Sequence, residues 1–140
     1  MAELGKNAFL LEVVTPQRLL VHDEVTELVA PGSEGYFGVL PGHTPFMTSL
    51  KIGELTYWRG REEHHLAVSW GYTEVEPEKV VVLAEMAERA DEINVERAEA
   101  ARRRAEERLR QWGEEKADFV RAQAALQRAL TRLTVAAKSR

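Results

Sequence analysis

The chain has 140 residues, no cysteine and a formal net charge of −4, with 44% hydrophobic and 30% charged residues. That length fits one domain or two small ones, and the balance describes a soluble, globular chain. The longest apolar run, Val80–Ala84, is far shorter than the roughly 20 residues of a membrane helix. No basic-then-apolar leader precedes Ala8, and without cysteine there is no disulfide frame, thiolate nucleophile or Cys-type zinc site.

The residue types are unevenly spread. All five prolines precede residue 78, and eight of nine glycines precede residue 72. Residues 1–85 hold 6 Lys/Arg against 13 Asp/Glu, net −7; residues 86–140 hold 13 against 10, net +3. Turn-formers in one half and reversed charge in the other predict two modules, divided as 1–87 and 88–140.

The first module reads as strands, mostly with period 2. Ala8–Val14 leads to a Thr15-Pro16 turn and then to Arg18–Val21. Val25–Ala30 ends at Pro31-Gly32, which fits the centre of a type II turn. Gly53–Trp58, His64–Trp70, Gly71–Val75 and Lys79–Ala84 follow, the last read as buried on both faces. Many short strands predict an antiparallel sandwich or flattened barrel. Between them, Pro31–Phe46 packs four Gly and three Pro into sixteen residues. It lacks the Gly-Lys-Ser/Thr ending of a phosphate loop, and Pro41 and Pro45 stop a helix from opening behind it, so it reads as turns and a surface contact loop.

After Glu85 the period becomes helical. Asn94 is a good N-cap for a helix carrying Val95, Ala98, Ala101, Ala105 and Leu109, which should stop at Gly113. Asp118 is the expected cap of a second helix, with Phe119, Ala122, Leu126, Ala129, Leu130, Leu133 and Ala137 on its packing face. A short link makes the pair antiparallel, and its Ala-rich seam makes it marginally stable and able to open. Arg97, Arg102, Arg103, Arg104, Arg108 and Arg110 crowd the first helix, but glutamates at i,i+4 (99–103, 102–106, 103–107, 106–110) predict a salt-bridged face rather than a nucleic-acid footprint. A mostly Ala apolar face with no aromatic belt argues against adsorption to or insertion into a membrane. The four histidines show no metal-ligand spacing, and no nucleophile elbow or catalytic pair is recognisable.

Gly35-x-x-Gly38-Val39-Leu40-Pro41-Gly42-His43-x-Pro45, the later Trp70–Pro77 segment and the helical tail together resemble the epsilon subunit of the bacterial rotary, proton-translocating ATP synthase, from about Ala8 to Lys138. The resemblance implies an α+β fold: an N-terminal antiparallel β-sandwich of about ten strands, then a C-terminal two-helix antiparallel hairpin. It implies a non-catalytic central-stalk subunit, peripheral on the cytoplasmic face of the bacterial cell membrane, coupling proton flow to rotation and ATP synthesis. Its partners would be the gamma subunit, the ring of c subunits and the catalytic alpha and beta subunits, with no nucleic acid. Ser33, Glu34, Tyr36 and His43 would belong to the loop meeting the ring and gamma, although Tyr36 stands where some relatives carry an acid. The hairpin would unfold along gamma and restrain hydrolysis.

No cofactor is required, but some members hold regulatory ATP in the closed hairpin through an Ile/Leu-Asp-x-x-Arg-Ala motif. Here it reads Ile93-Asn94-Val95-Glu96-Arg97-Ala98, with Asn94 replacing the acid, and Glu88, Arg121, Arg128 and Arg132 match further positions of that site. Spacings of 7 and 4 put the last three arginines on one helical side. A free-standing ATP-sensing module with another protein partner is the alternative.

Overall fold

The computed structural model describes residues 7–111 and 116–138. The alternating segments form eight strands among these residues: β1 (Phe9–Val14), β2 (Leu19–Val25), β3 (Glu27–Gly32), β4 (Gly35–Val39), β5 (Phe46–Leu50), β6 (Gly53–Arg59), β7 (Glu62–Val75) and β8 (Lys79–Arg89). They run β2-β1-β8-β7-β5-β3-β4, and β6 pairs with both β3 and β7, folding the sheet back on itself into two layers. Phe9, Leu11 and Val13 of β1, Leu28 of β3, Leu55 of β6, Leu66 and Val68 of β7, and Val80 and Val82 of β8 fill the interior. The sandwich of about ten strands is thus built from eight, because the long β7 serves both layers. Its residues 62–68 pair with β6 and 71–75 with β5.

The change of partner in β7 falls at Trp70 and Gly71, both at positive φ (54° and 130°). A Cβ on Gly71 would stand 1.9 Å from the Leu83 carbonyl oxygen, so only glycine lets β8 lie against this bend. One pairing is not antiparallel: β1 runs parallel to β8. The many residues between those strands supply the crossover that parallel neighbours require.

Three readings of the strand module are corrected. Pro31–Phe46 is not turns and loop throughout, since Gly35–Val39 forms β4, paired with β3. Pro31-Gly32 is not a turn; both lie in β3, and the chain reverses at Ser33-Glu34, with Gly32 opposite Gly35. Proline is tolerated because β3 changes partner there, from β6 (residues 27–29) to β5 (Gly32), while the Pro31 carbonyl accepts from Lys51 N–H. Nor are residues 80–83 buried on both faces: Val80 and Val82 point inward, but Leu83 is 50% exposed.

A 3-10 turn (Ala90–Glu92) leads to α1 (Val95–Gln111) and α2 (Lys116–Ala137). Asn94 caps α1 as expected, its Oδ1 accepting from Arg97 N–H at 3.0 Å. The expected stop at Gly113 lies outside the described residues. Asp118 does not cap α2, which begins two residues earlier; it lies in the first turn, where a carboxylate suits the positive end of the helix dipole. The buried residues of α2 are Ala122, Ala129, Val135 and Ala136, whereas Phe119, Leu130 and Ala137 are exposed. α2 has two neighbours, α1 and the sandwich, and its buried face turns between them. Among the described residues no helix is long and apolar enough to cross a membrane.

Candidate functional site: an arginine-walled cleft under the helical hairpin

The hairpin closes on the sandwich through a small apolar contact. Ile93, Val135 and Ala136 bury against Ala67 of β7, with Ala90 and Val95 at the margin. Polar ties surround it: Lys138 Nζ lies 2.7 Å from Glu54 Oε1, and Gln127 Nε2 donates to the Ile52 carbonyl at 3.5 Å. Arg132 reaches Glu88 on β8, its Nε 2.7 Å from Oε1 and its Nη2 donating to Oε2 at 3.1 Å. The Nε contact is short but poorly aligned, so the Nη2 bond carries the directionality.

Beside these ties, α1, α2, the middle of β7 (Ala67, Val68, Ser69) and the end of β8 (Met86, Ala87, Glu88) enclose a cleft of about 290 Å³. Small residues, Ala101, Ala105, Ala125 and Ala129, leave the space, and Arg104, Arg108, Arg128 and Arg132 wall it with Glu88. Only Arg132 has a carboxylate within 4 Å; Arg104, Arg108 and Arg128 have none among the described residues. The cleft wall therefore carries three guanidinium groups with no carboxylate within 4 Å among the described residues, beside the Arg132–Glu88 pair.

The pairing along α1 differs from the expected ladder. Arg102 takes both Glu99 (2.7 Å) and Glu106 (3.1 Å), and Arg110 takes Glu107 (2.7 Å). Glu99 and Glu107 thereby go to neighbours at i,i+3, which leaves Arg103, like Arg104 and Arg108, without a carboxylate among the described residues. The Glu99 and Glu107 carboxylates raise the Arg102 and Arg110 pKa values further, so both remain cations.

Of the residues singled out for nucleotide, Glu88, Arg128 and Arg132 come together in the cleft. Ile93 is buried under α2, Asn94 caps α1 through its side chain, Ala98 is buried against α2, and Arg97 is exposed. Arg121 lines a neighbouring recess with Arg108 and Asp118. Arg104 and Arg108 escaped the sequence reading. Their i,i+4 spacing beside Ala101 and Ala105, on the packing side of α1, is the signal that marks them.

The ring-loop residues separate into two places. Ser33 and Glu34 form the β3–β4 turn, and Tyr36, 61% exposed, turns its hydroxyl back to accept from Glu54 N–H at 3.0 Å. His43 lies beyond the far end of β4, with Nδ1 2.7 Å from the Leu40 carbonyl, Nε2 against the Glu76 carbonyl and its ring edge-on to Phe9. It pins the β4–β5 connection to the β7–β8 turn. His64 and His65 diverge as adjacent strand residues should: His64 stacks on Tyr57, and His65 stands between Glu54 and Glu63. No cluster among the described residues has the makings of a metal site.

One outer face of the sheet carries exposed apolar side chains. The register sets Tyr72 opposite Leu83, Leu83 beside Val14, and Val14 opposite Leu19, a row across four strands. Tyr72, Leu83 and Leu19 are each at least half exposed, and Met47 and Met86 flank the row at 64% and 53%. Such a patch marks a protein contact.

A small sandwich with a two-helix hairpin packed against it and an exposed apolar face has the architecture of a binding subunit. Residues 8–90 match the family ATP synthase, Delta/Epsilon chain, beta-sandwich domain, and residues 91–137 match ATP synthase, Delta/Epsilon chain, long alpha-helix domain. The chain belongs to the delta/epsilon family of ATP synthase subunits. It is 55% identical over 129 residues to the ATP synthase epsilon chain of Geobacter metallireducens, covering 92% of this chain and 94% of that one. The epsilon chain of Geobacter sulfurreducens is 54% identical over the same shares, and epsilon chain 2 of Syntrophotalea carbinolica is 50% identical over 91% and 93%. In fold it resembles a chain of the Euglena gracilis mitochondrial ATP synthase OSCP/F1/c-ring structure (TM-score 0.79, 21% identity, 94% of this chain and 82% of that one).

Proposed function

We propose that this chain is a non-catalytic central-stalk subunit of a bacterial F-type ATP synthase, with its sandwich docked to the gamma subunit and the c-ring and its hairpin acting as a movable restraint on ATP hydrolysis. The relatives are epsilon chains along nearly their whole length, and the similar solved chains belong to mitochondrial ATP synthase assemblies of F1, central stalk and c-ring. The outer row Tyr72–Leu83–Val14–Leu19 is the face assigned to gamma, and the Ser33–Glu34 turn is the tip assigned to the ring. The subunit stays peripheral, on the cytoplasmic face of the cell membrane.

Regulatory ATP is the ligand assigned to the cleft. The observation that carries this reading is the set of three unpaired arginines, Arg104, Arg108 and Arg128, facing one space between the hairpin and the sheet. A triphosphate would neutralise them and tie α1 to α2, favouring the closed hairpin by mass action. Asn94 keeps its side chain on the helix cap, so the phosphate contacts fall to the arginines. Calorimetric titration of the full chain with ATP tests it. Saturable heat that is lost in Arg128→Ala supports the assignment; no heat up to millimolar ATP removes it. The alternative of a free-standing sensor is tested by co-purification, which should recover the chain with gamma.

A further inference from the structure

The link between sandwich and hairpin is held at a point remote from the cleft. Arg18, in the turn between β1 and β2, meets Glu92 at the end of the 3-10 turn, 74 positions away, with Nη1 donating to Oε2 at 2.7 Å and Nη2 to Oε1 at 3.0 Å. This is the fork-to-fork geometry of a bidentate guanidinium–carboxylate pair. Both partners are held before they meet. The Arg18 turn is closed by Thr15, itself 7% exposed, whose Oγ1 accepts from Gln17 and Arg18 N–H at 3.3 Å. Glu92 Oε1 also accepts from Arg89 N–H at 3.0 Å, and the Arg89 guanidinium donates to the Leu20 carbonyl of β2. The next two residues are Ile93, buried under α2, and Asn94, the α1 cap.

We propose that Arg18 and Glu92 are positioning residues that clamp residues 89–92 to the sandwich, so that the hairpin pivots at Ile93–Asn94 and its opening is governed by this pair. The proposal rests on reading the hairpin as a movable arm. With the clamp in place, the start of α1 is aimed so that Ala98 and Ala105 meet α2 and Val135 meets Ala67. Without it, the linker gains freedom and the closed arrangement loses part of its alignment.

The charges facing the pair are Arg18 and Arg89 around Glu92, and Glu92 with the more distant Glu88 around Arg18. The Arg18 bond, then the Arg89 backbone bond and the two positive charges, hold the Glu92 carboxyl below its ordinary range against the opposing effect of burial. The clamp is therefore complete above the ordinary carboxylate range and is lost as pH falls through the lowered value.

Native-state hydrogen exchange on the full chain tests this, with each rate divided by its intrinsic chemical rate. Arg18→Met keeps the aliphatic stem, and Glu92→Gln keeps an acceptor for Arg89 N–H. In each, the Arg97 and Ala98 amides, which bond to Asn94, should exchange about two- to fivefold faster. The Val68 and Val82 amides, inside the sandwich, should keep wild-type rates. The double variant should be no faster than either single one, the mark of a shared contact. Wild type should approach the variants as pH falls through the Glu92 titration, and Glu92→Gln should show no such step. Wild-type rates at Arg97 and Ala98 in both single variants, or additive effects in the double, would overturn the clamp. Failure of the movable-arm reading looks different: removing the hairpin would leave hydrolysis restrained whatever the exchange rates report.

Discussion

Arg132 of α2 and Glu88 of β8 form the one ion pair inside the arginine-walled cleft among the described residues, with the closest nitrogen and oxygen 2.7 Å apart. Both side chains are about a quarter exposed, so the pair is neither a screened surface contact nor a fully buried one. It fastens the hairpin directly to the sheet and leaves the other three arginines of the cleft without a carboxylate partner among the described residues. Glu88→Gln should loosen the hairpin by about 1 kcal/mol, lowering the thermal midpoint by about 3 °C. An unchanged melting curve would mean that the pair adds no stability.

Nucleotide affinity should depend on arginines that the motif does not contain. Arg104→Ala and Arg108→Ala should each weaken ATP binding about tenfold, as expected for one lost charge-assisted phosphate contact, while Arg103→Ala, outside the cleft, should leave it unchanged. Calorimetry on the three variants separates a cleft-bound ligand from general attraction to a basic helix.

Gly71 should tolerate no side chain. Its φ of 130° and the 1.9 Å approach of the Leu83 carbonyl to the position a methyl would take together predict a loss of about 2–4 kcal/mol in Gly71→Ala, measured by urea unfolding. Gly35 also has a positive φ but nothing within 4 Å, so Gly35→Ala should cost less.

Acid should act on the sandwich through Glu12. Lys79 (2.9 Å) and then His22 (3.0 Å) hold its carboxyl below the ordinary range. A lowered folded value means that the stabilisation is present above the ordinary carboxylate pKa and disappears as pH falls through the folded one. Glu12→Gln should therefore be less stable than wild type at neutral pH and indistinguishable at the acid end of the unfolding profile.

The apolar outer row should matter for assembly and not for folding. Leu83→Asp, half exposed in the isolated chain, should leave its stability within about 0.5 kcal/mol yet reduce recovery with gamma. Loss of recovery in Glu62→Ala instead, away from the row, would move the docking face elsewhere.

The legible parts were those governed by local chemistry. Asn94 announces a helix start because its short side chain reaches the free N–H groups of the turn just after it, and the distribution of Pro and Gly separates strands from helices. The errors arose where partners distant in sequence decide. Pro31 reads as a turn until β6 and β5 are seen to hand over β3 at that residue. Leu83 reads as core because it stands in an unbroken apolar run, whereas the strand turns it to the outer face of the sheet, half exposed. Phe119 and Leu130 fit the α2 stripe by period, but the helix must divide its face between α1 and the sandwich. The cleft was half visible: Arg128 and Arg132 stood out by spacing, while Arg104 and Arg108 were hidden among arginines credited to salt bridges.

Restraint of hydrolysis is assigned to the hairpin and attachment to the stalk to the sandwich. The main core cluster runs from Phe9 to Ala87 and takes no residue from the helices, so a chain ending near Ala90 keeps its interior. The direct test is the ATP hydrolysis rate of the catalytic complex with gamma, reconstituted with the full chain or with that truncation. The truncated subunit should still co-purify with gamma, and hydrolysis should rise above the full-length level. Equal restraint by both forms would mean that the hairpin is not the restraining element.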